Sequence, residues 1–418
     1  MRHELFALPL SHSCSAVIFA AFLVSACSAD DAAGPRDLSG VTLVREDRGD
    51  APLGKLPAEW LKRFKGGDAL FEHSYLETQG LGPVFIRSSC GSCHEDDARG
   101  PGAVRKMVLV DDSGAPLADQ SGLPFGNTVR PQTARGLERG VTVPEGEHKL
   151  LVSTRMPPAV FGRGYIEAIA DSEILRVEAE QAQRDDGISG RVNWVIYESH
   201  RNEDSRFHSH DRGERLIGRF GLKARIATLD DFTADAMQGD MGITSDMRPN
   251  ELPNPAGEED ELPGVDLAPE PINLIADYMR ALRIPSRKVG DAKGAELFEQ
   301  AQCGVCHTPT LHTSPEYALP LLADIEAPVY TDLLLHDMGP EFSDGLTDQS
   351  AGHSEWRTAP LLGMRFMRSY LHDGRAQTLE EAIELHGGEG SEAAGSVQRF
   401  KALDDASRER LLAFVAAL

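Results

Sequence analysis

Apolar spacing divides the chain into an apolar start, an unpatterned stretch and a long series of helix-length segments. Ala16 to Val24 is an apolar run. It is far short of the ~20 residues a membrane-crossing helix needs, so it predicts the h-region of a signal segment. Residues 28–56 are rich in Asp, Gly and Pro and show little periodicity; they read as a tether. From Pro57 onward Trp60, Leu61, Phe64, Leu70 and Phe71 recur at helical spacing and predict a helix. Ile275, Met279 and Leu282 do the same for Ile272–Leu282, which Ile284-Pro285 ends. Thr378-Leu379-Glu380-Glu381 is a capping box that opens a helix bearing Ala382, Ile383 and Leu385. Asp405–Leu418 forms the last helix, with Leu411, Leu412, Phe414, Val415 and Leu418 as its apolar positions. Strand-like stretches such as Val192–Tyr197 are few. The pattern predicts a mainly α fold with long loops.

One segment occurs twice. Lys65-Gly66-Gly67-Asp68-Ala69-Leu70-Phe71-Glu72 is echoed by Lys293-Gly294-Ala295-Glu296-Leu297-Phe298-Glu299. Each copy leads to a cysteine pair, with extra residues in the first copy. The repeat predicts two cytochrome-c-like units, residues 57–285 and 286–418, with the boundary between Leu282 and Asp291. Pro249 to Pro271 is rich in proline and acid and reads as a surface loop. Solvated carboxylates explain its charge; calcium is the weaker reading.

The cysteine pairs are Cys90-Gly91-Ser92-Cys93-His94 and Cys303-Gly304-Val305-Cys306-His307. C-x-x-C-H is the attachment motif of a c-type haem. Each cysteine sulfur bonds a haem vinyl carbon, and the adjacent histidine ligates the iron. A zinc site would take four ligands from two spaced pairs, and a redox dithiol would leave both histidines unexplained. Two covalent haems are therefore expected, on Cys90, Cys93 and His94 and on Cys303, Cys306 and His307.

The other two of the six cysteines are Cys14 and Cys27. Leu23-Val24-Ser25-Ala26-Cys27 resembles a bacterial lipobox, so residues 1–26 are expected to leave as a lipoprotein signal and Cys27 to carry lipid. An ordinary signal cut near Ala26 or Ala29 is the alternative. Ser28 after the lipidated position points to the outer membrane, facing the periplasm. The formal net charge is −24. Such a surface excludes nucleic acid and anionic lipid as charge-driven partners, which leaves the lipid anchor as the membrane contact. It suits steering of a small basic electron donor. About 390 mature residues suffice for two domains or a few more.

At this point the chain resembles the di-haem c-type oxidoreductases often labelled thiol oxidoreductases. These are relatives of the bacterial di-haem cytochrome c peroxidases and of the enzyme that matures methylamine dehydrogenase. The resemblance covers roughly residues 60–418. It rests on Gly82-Pro83-Val84-Phe85, Arg155-Met156-Pro157-Pro158, Gly218–Ala224, Asp240-Met241-Gly242-Ile243-Thr244, Thr331–Gly339 and Tyr370-Leu371-His372-Asp373-Gly374-Arg375. In the peroxidases a histidine like His372 precedes the distal methionine of the C-terminal haem by fourteen positions. The maturation enzyme has tyrosine at that place, and here it holds His386. The resemblance thus implies ligation of the second haem by His307 and His386, with Met338, Met364 and Met367 as competitors. Histidine in place of methionine lowers a haem's potential within a tunable range of ~0.8 V.

For the first haem, many of the peroxidases carry a second histidine about sixteen residues after the motif. Val110 stands there, and no histidine lies between residues 95 and 147. A five-coordinate first haem with an open face is the economical reading, which is what peroxide chemistry requires. His148, His200, His208 and His210 are remote in sequence and would have to fold back. The peroxidases place a Glu-Met-Gly segment above this iron, after an upstream glutamine. Asp240-Met241-Gly242 resembles the segment, and Phe232 falls where the glutamine would. Asp240 and Glu167 are the candidate groups for moving the peroxide proton. His336 and Trp356 are expected to line the second haem. The implied function is an exported peroxidase in which the C-terminal haem feeds electrons, from a cytochrome or copper protein, to an open N-terminal haem. The alternatives are a non-catalytic di-haem electron carrier and an oxidase of a protein side chain or bound metal.

Overall fold

A computed structural model describes residues 50–418 except 99, 101, 135–136, 147–148, 208, 256–263 and 288–290. The expected signal, Cys27, most of the tether and the acidic core of the 249–271 loop lie outside the described residues. The described part has nine helices and only two-stranded antiparallel sheets. The helices are α1 (Ala58–Phe71), α2 (Arg163–Ala168), α3 (Asp171–Gln181), α4 (Leu229–Met241), α5 (Pro269–Ala281), α6 (Ala292–Gln300), α7 (Leu379–Leu385), α8 (Ala394–Lys401) and α9 (Asp405–Ala417). The fold is mainly α with long loops, as the pattern implied. No described helix is long and apolar enough to cross a membrane.

The sequence repeat is a repeat of packing. α1 buries Trp60, Phe64, Gly67 and Phe71 along one stripe and packs on α5. α6 buries Gly294, Leu297 and Phe298 and packs on α9. Gly67 and Gly294 hold equivalent places in the two copies, and both sit where helices cross closely. A Cβ at Gly67 would lie 2.1 Å from the Leu274 carbonyl oxygen, and one at Gly294 would lie 2.6 Å from Phe414 Cβ. The glutamates correspond too: a Cβ on Gly91 would meet the Glu72 carboxylate at 2.4 Å, and one on Gly304 the Glu299 carboxylate at 2.4 Å. Each C-x-x-C-H therefore lies under the end of its own preceding helix.

The large core joins α1, α2, α4 and α5 through residues such as Phe71, Ile166, Met237 and Tyr278. The stretch Leu311–Leu334 also contributes to it, through Leu311, Leu319, Leu322 and Leu334. A second core gathers Phe298, Phe400, Leu411 and Phe414. Within the C-terminal part, Leu335–Asp337 pairs with Glu355–Arg357 so that His336 lies opposite Trp356. The strand-like Val192–Tyr197 contains the strand Trp194–Ile196, paired with Arg215–Ile217. The longest pair, Val104–Leu109 with Leu150–Arg155, has no alternating pattern to announce it; its apolar side chains Met107 and Leu109 close a small separate core with Leu123, Val129 and Val141.

Two candidate haem cavities

Each C-x-x-C-H motif lines a cavity of its own. The second motif opens on about 290 Å³ and the first on about 80 Å³. All four motif cysteines are free thiols, as vinyl addition requires.

In the larger cavity His307 Nδ1 lies 3.2 Å from the Tyr330 carbonyl oxygen. A carbonyl only accepts, so Nδ1 carries the hydrogen and Nε2 keeps its lone pair. His386 ends α7 and lines the same cavity. Its Nδ1 lies 2.6 Å from the Ala382 carbonyl, which frees its Nε2 in the same way. Burial lowers both imidazole pKa values, that of His307 to about 4, with His386 as the next largest influence on His307. Two half-buried imidazoles with free Nε2 atoms thus share one cavity. The competitors Met338, Met364 and Met367 line it as well. α7 is held by its cap: Thr378 Oγ1 accepts from Glu381 N at 3.1 Å. Glu381 Oε2 accepts in return from Gln377 N at 2.7 Å, one residue before the place a capping box uses.

His336 and Trp356 line the larger cavity as expected. His336 Nδ1 is 2.8 Å from Glu392 Oε2 and Nε2 is 2.9 Å from Asp332 Oδ2. Burial opposes its charge, but the Cys306 sulfur and Asp332 favour it, and the balance lies well above the ordinary imidazole range. Cys306, Asp332 and His336 are close enough for a metal ion. Both imidazole nitrogens already donate to carboxylates, so this cluster is a charge pair rather than a metal site. Trp356 stacks on His372 with centroids 3.7 Å apart, and its Nε1 donates to the Phe342 carbonyl at 2.9 Å.

In the smaller cavity α4 presents Phe232, Thr233, Ala236, Met237, Asp240 and Met241, a single helical face. Ile275 and Met279 of α5 and Phe71 of α1 complete the lining beside Cys90, Cys93 and His94. His94 Nδ1 is buried without a well-formed hydrogen bond; the nearby Pro158 carbonyl is the acceptor placed to favour its charge. Burial dominates and pushes His94 down to about 4, so the imidazole is neutral and able to ligate. Half-buried, neutral histidines beside free cysteines in both cavities fit a haem at each motif. Among the described residues no other histidine lines this cavity. His200 is exposed, His210 Nδ1 lies 3.1 Å from Glu214 Oε2, and His148 and His208 fall outside the described residues. The thioethers of Met237, Met241 and Met279 were missed from sequence as lining groups; the i, i+4 spacing of Met237 and Met241 on α4 was the available signal, while Met279 comes from α5.

The two candidate acids part company. Asp240 lines the cavity, and burial pushes its carboxyl up to about 6 while Lys106 pulls the other way. Glu167 is not among the lining residues. It is buried in α2, where Arg280 Nε donates to it at 2.6 Å, Tyr317 Oη at 2.7 Å and Leu229 N at 2.7 Å. Leu229 is the first residue of α4, so Glu167 ties the start of Asp240's helix to α5. The structure does not place it in the lining above the first haem; its carboxylate accepts from Arg280, Tyr317 and Leu229 instead.

A family model described as "Di-haem oxidoreductase, putative peroxidase" matches residues 140–418. That span contains the second motif; the first lies upstream of it and stands on its own geometry. Among solved structures the chain is similar to the di-haem peroxidase BthA of Burkholderia thailandensis E264, 14% identical over 90% of this chain and 89% of that one, TM-score 0.40. It is similar to a MauG-like protein associated with microbial copper homeostasis, 16% identical over 88% and 92%, TM-score 0.40. A third is hydrazine synthase of Kuenenia stuttgartiensis, 13% identical over 92% and 99%, TM-score 0.34. Among curated proteins none matches.

Proposed function

The chain belongs to the di-haem oxidoreductase family, and from that premise we propose that it is an exported, peroxidase-like enzyme with two covalent c-type haems. In this reading Cys90, Cys93 and His94 hold one haem, and Cys303, Cys306 and His307 the other. The observation that carries the assignment of roles is the asymmetry of the cavities. The C-terminal cavity holds a second free imidazole, His386; the N-terminal cavity holds none among its described lining and holds a carboxyl, Asp240, instead. His386 would close the C-terminal iron for electron transfer, and the N-terminal site would stay open to peroxide. A haem bound there would supply the redox chemistry of peroxide cleavage. Asp240 takes the proton from the inner oxygen and returns it to the outer oxygen, which leaves as water. Phe232, Met237 and Ile275 keep bulk water from the carboxyl. The residues common to both cavities, Pro158, Ala159 and Arg163, form the partition that electrons cross from the C-terminal to the N-terminal site. The division into units at residues 57–285 and 286–418 follows the same logic, one haem to each. A small cytochrome or copper protein with a basic face is the donor we favour, since the chain's own charge is −24. Lipid on Cys27 would hold the protein at the outer membrane, and Cys27→Ala should release it to the soluble periplasm.

A second reading has its own observation. Met237, Met241 and Met279 all line the N-terminal cavity, and a thioether closing that iron would make the protein an electron carrier. Cyanide binding to the oxidised protein, together with a steady-state assay on hydrogen peroxide with an artificial donor, separates the two. The peroxidase reading expects a high-spin haem, cyanide binding and turnover. Two low-spin haems that ignore cyanide and no turnover would overturn it in favour of the carrier.

A further inference from the structure

Several buried cations among the described residues are matched with carboxylates. Arg280 has Glu167, Asp230 and Asp277; Arg155 has Asp344 and Asp348; Lys223 has Asp344. A buried guanidinium without an anion is strongly disfavoured, so such pairing is the expectation. Two cavity-lining arginines break it. Arg163 is 7% exposed and Arg357 is 5% exposed. Arg163 gives Nε (2.7 Å) and Nη2 to the Ala159 carbonyl. Arg357 gives Nε to Gly221 O at 3.1 Å and Nη1 to Thr358 O at 2.9 Å. Among the described residues no carboxylate lies in ion-pair reach of either. Burial, then the charge of Arg357, brings Arg163 to about 9; burial lowers Arg357 to about 10, while Asp332 pulls the other way from beyond ion-pair distance. Arg287 is also buried without a carboxylate, but it lies over the Tyr330 ring and lines neither cavity.

Arg357 lines the C-terminal cavity, while Arg163 lines both. Each haem brings two propionate carboxylates. We infer that the missing anions are haem propionates, and that Arg163 is an electrostatic bridge shared by the two haems, whereas Arg357 serves the C-terminal haem alone. A fixed positive charge in a poorly screened interior favours the extra electron of a reduced iron. Arg163 therefore raises both midpoint potentials and sets them together. Its bond to Ala159 also braces the partition, but a brace alone would leave the potentials where they are.

The inference rests on the two-haem reading, and the test separates them. Haem content and intact mass are measured first on the full-length parent. Fewer than two haems would overturn the two-haem reading and with it this inference. With two haems present, spectroelectrochemical titration of Arg163→Gln should show both midpoint potentials lowered, and Arg357→Gln only that of the C-terminal haem. If Arg163→Gln carries two haems and either potential is unmoved, the bridge is refuted. If Arg163→Gln does not accumulate as a holoprotein, Arg163→Lys decides: with the charge kept, both potentials should stay at the parent values, and a fall in only one of them refutes the bridge.

Discussion

Glu167→Gln asks whether this carboxylate holds the fold together or moves protons, and the two roles predict opposite results. The side chain is fully buried and so is its partner Arg280. Its two oxygens accept from Arg280 Nε at 2.6 Å and Nη2 at 3.1 Å, Tyr317 Oη at 2.7 Å and Leu229 N at 2.7 Å. Glutamine keeps one acceptor oxygen and turns an NH₂ toward donors. Removing one partner of a buried ion pair costs ~3–5 kcal/mol. Here Asp230 at 2.5 Å and Asp277 at 2.9 Å still hold Arg280, which favours the low end. The Tyr317 and Leu229 bonds fall from charge-assisted to neutral or are lost, about 1 kcal/mol each. A loss of about 3 kcal/mol is expected, roughly a 10²-fold drop in the folded-to-unfolded ratio. Urea unfolding of the holoprotein, followed by far-ultraviolet circular dichroism, measures it. Peroxide turnover per folded haem should be unchanged below the transition. Undiminished stability with turnover lowered ~10²–10⁴-fold would refute the argument and restore Glu167 as a proton-transfer group.

His386→Met should keep the C-terminal haem six-coordinate and raise its potential, while His386→Ala should open it to carbon monoxide; unchanged spin state and potential in both variants would favour Met338, Met364 or Met367. Asp240→Asn should lower peroxide turnover ~10²–10⁴-fold with both haem spectra intact. Because burial raises Asp240 from 3.8 to about 6, its base form is lost as pH falls through about 6, so parent turnover should rise across that range and the variant should lose that limb. The linked stability runs the other way: the folded state binds the extra proton between pH 3.8 and about 6, so the cost of this buried carboxylate is absent below that window and complete above it. Gly67→Ala should destabilise by ~1–3 kcal/mol, since its Cβ would overlap the Leu274 carbonyl at 2.1 Å, whereas Gly66→Ala, whose nearest atoms are Leu274 methyls at 3.6 Å, should be neutral or stabilising by up to ~1 kcal/mol; thermal unfolding of the pair checks both.

Features set by neighbours along the chain were legible without a structure. The spacing of Cys90, Cys93 and His94, and of Cys303, Cys306 and His307, is covalent chemistry and needs no fold to recognise. Helix periodicity and caps placed α1, α5, α7 and α9 to within a few residues, because 3.6-residue spacing and an N-cap hydroxyl act within a turn or two. The Lys65–Glu72 and Lys293–Glu299 echo already implied two equivalent helix-to-motif units, and Gly67 and Gly294 are glycine in both because another helix crosses there. What depended on distant segments was hidden. Asp240 and Glu167 look alike as carboxylates, yet one faces a cavity and the other is claimed by Arg280, 113 residues away in sequence. The Val104–Leu109 pair carries no alternation, since its burial is decided by a separate small core and not by the strand itself. Arg163 offered no signal in sequence, because what marks it is the lack of a carboxylate within reach, and that lack is created only when the chain has folded around it.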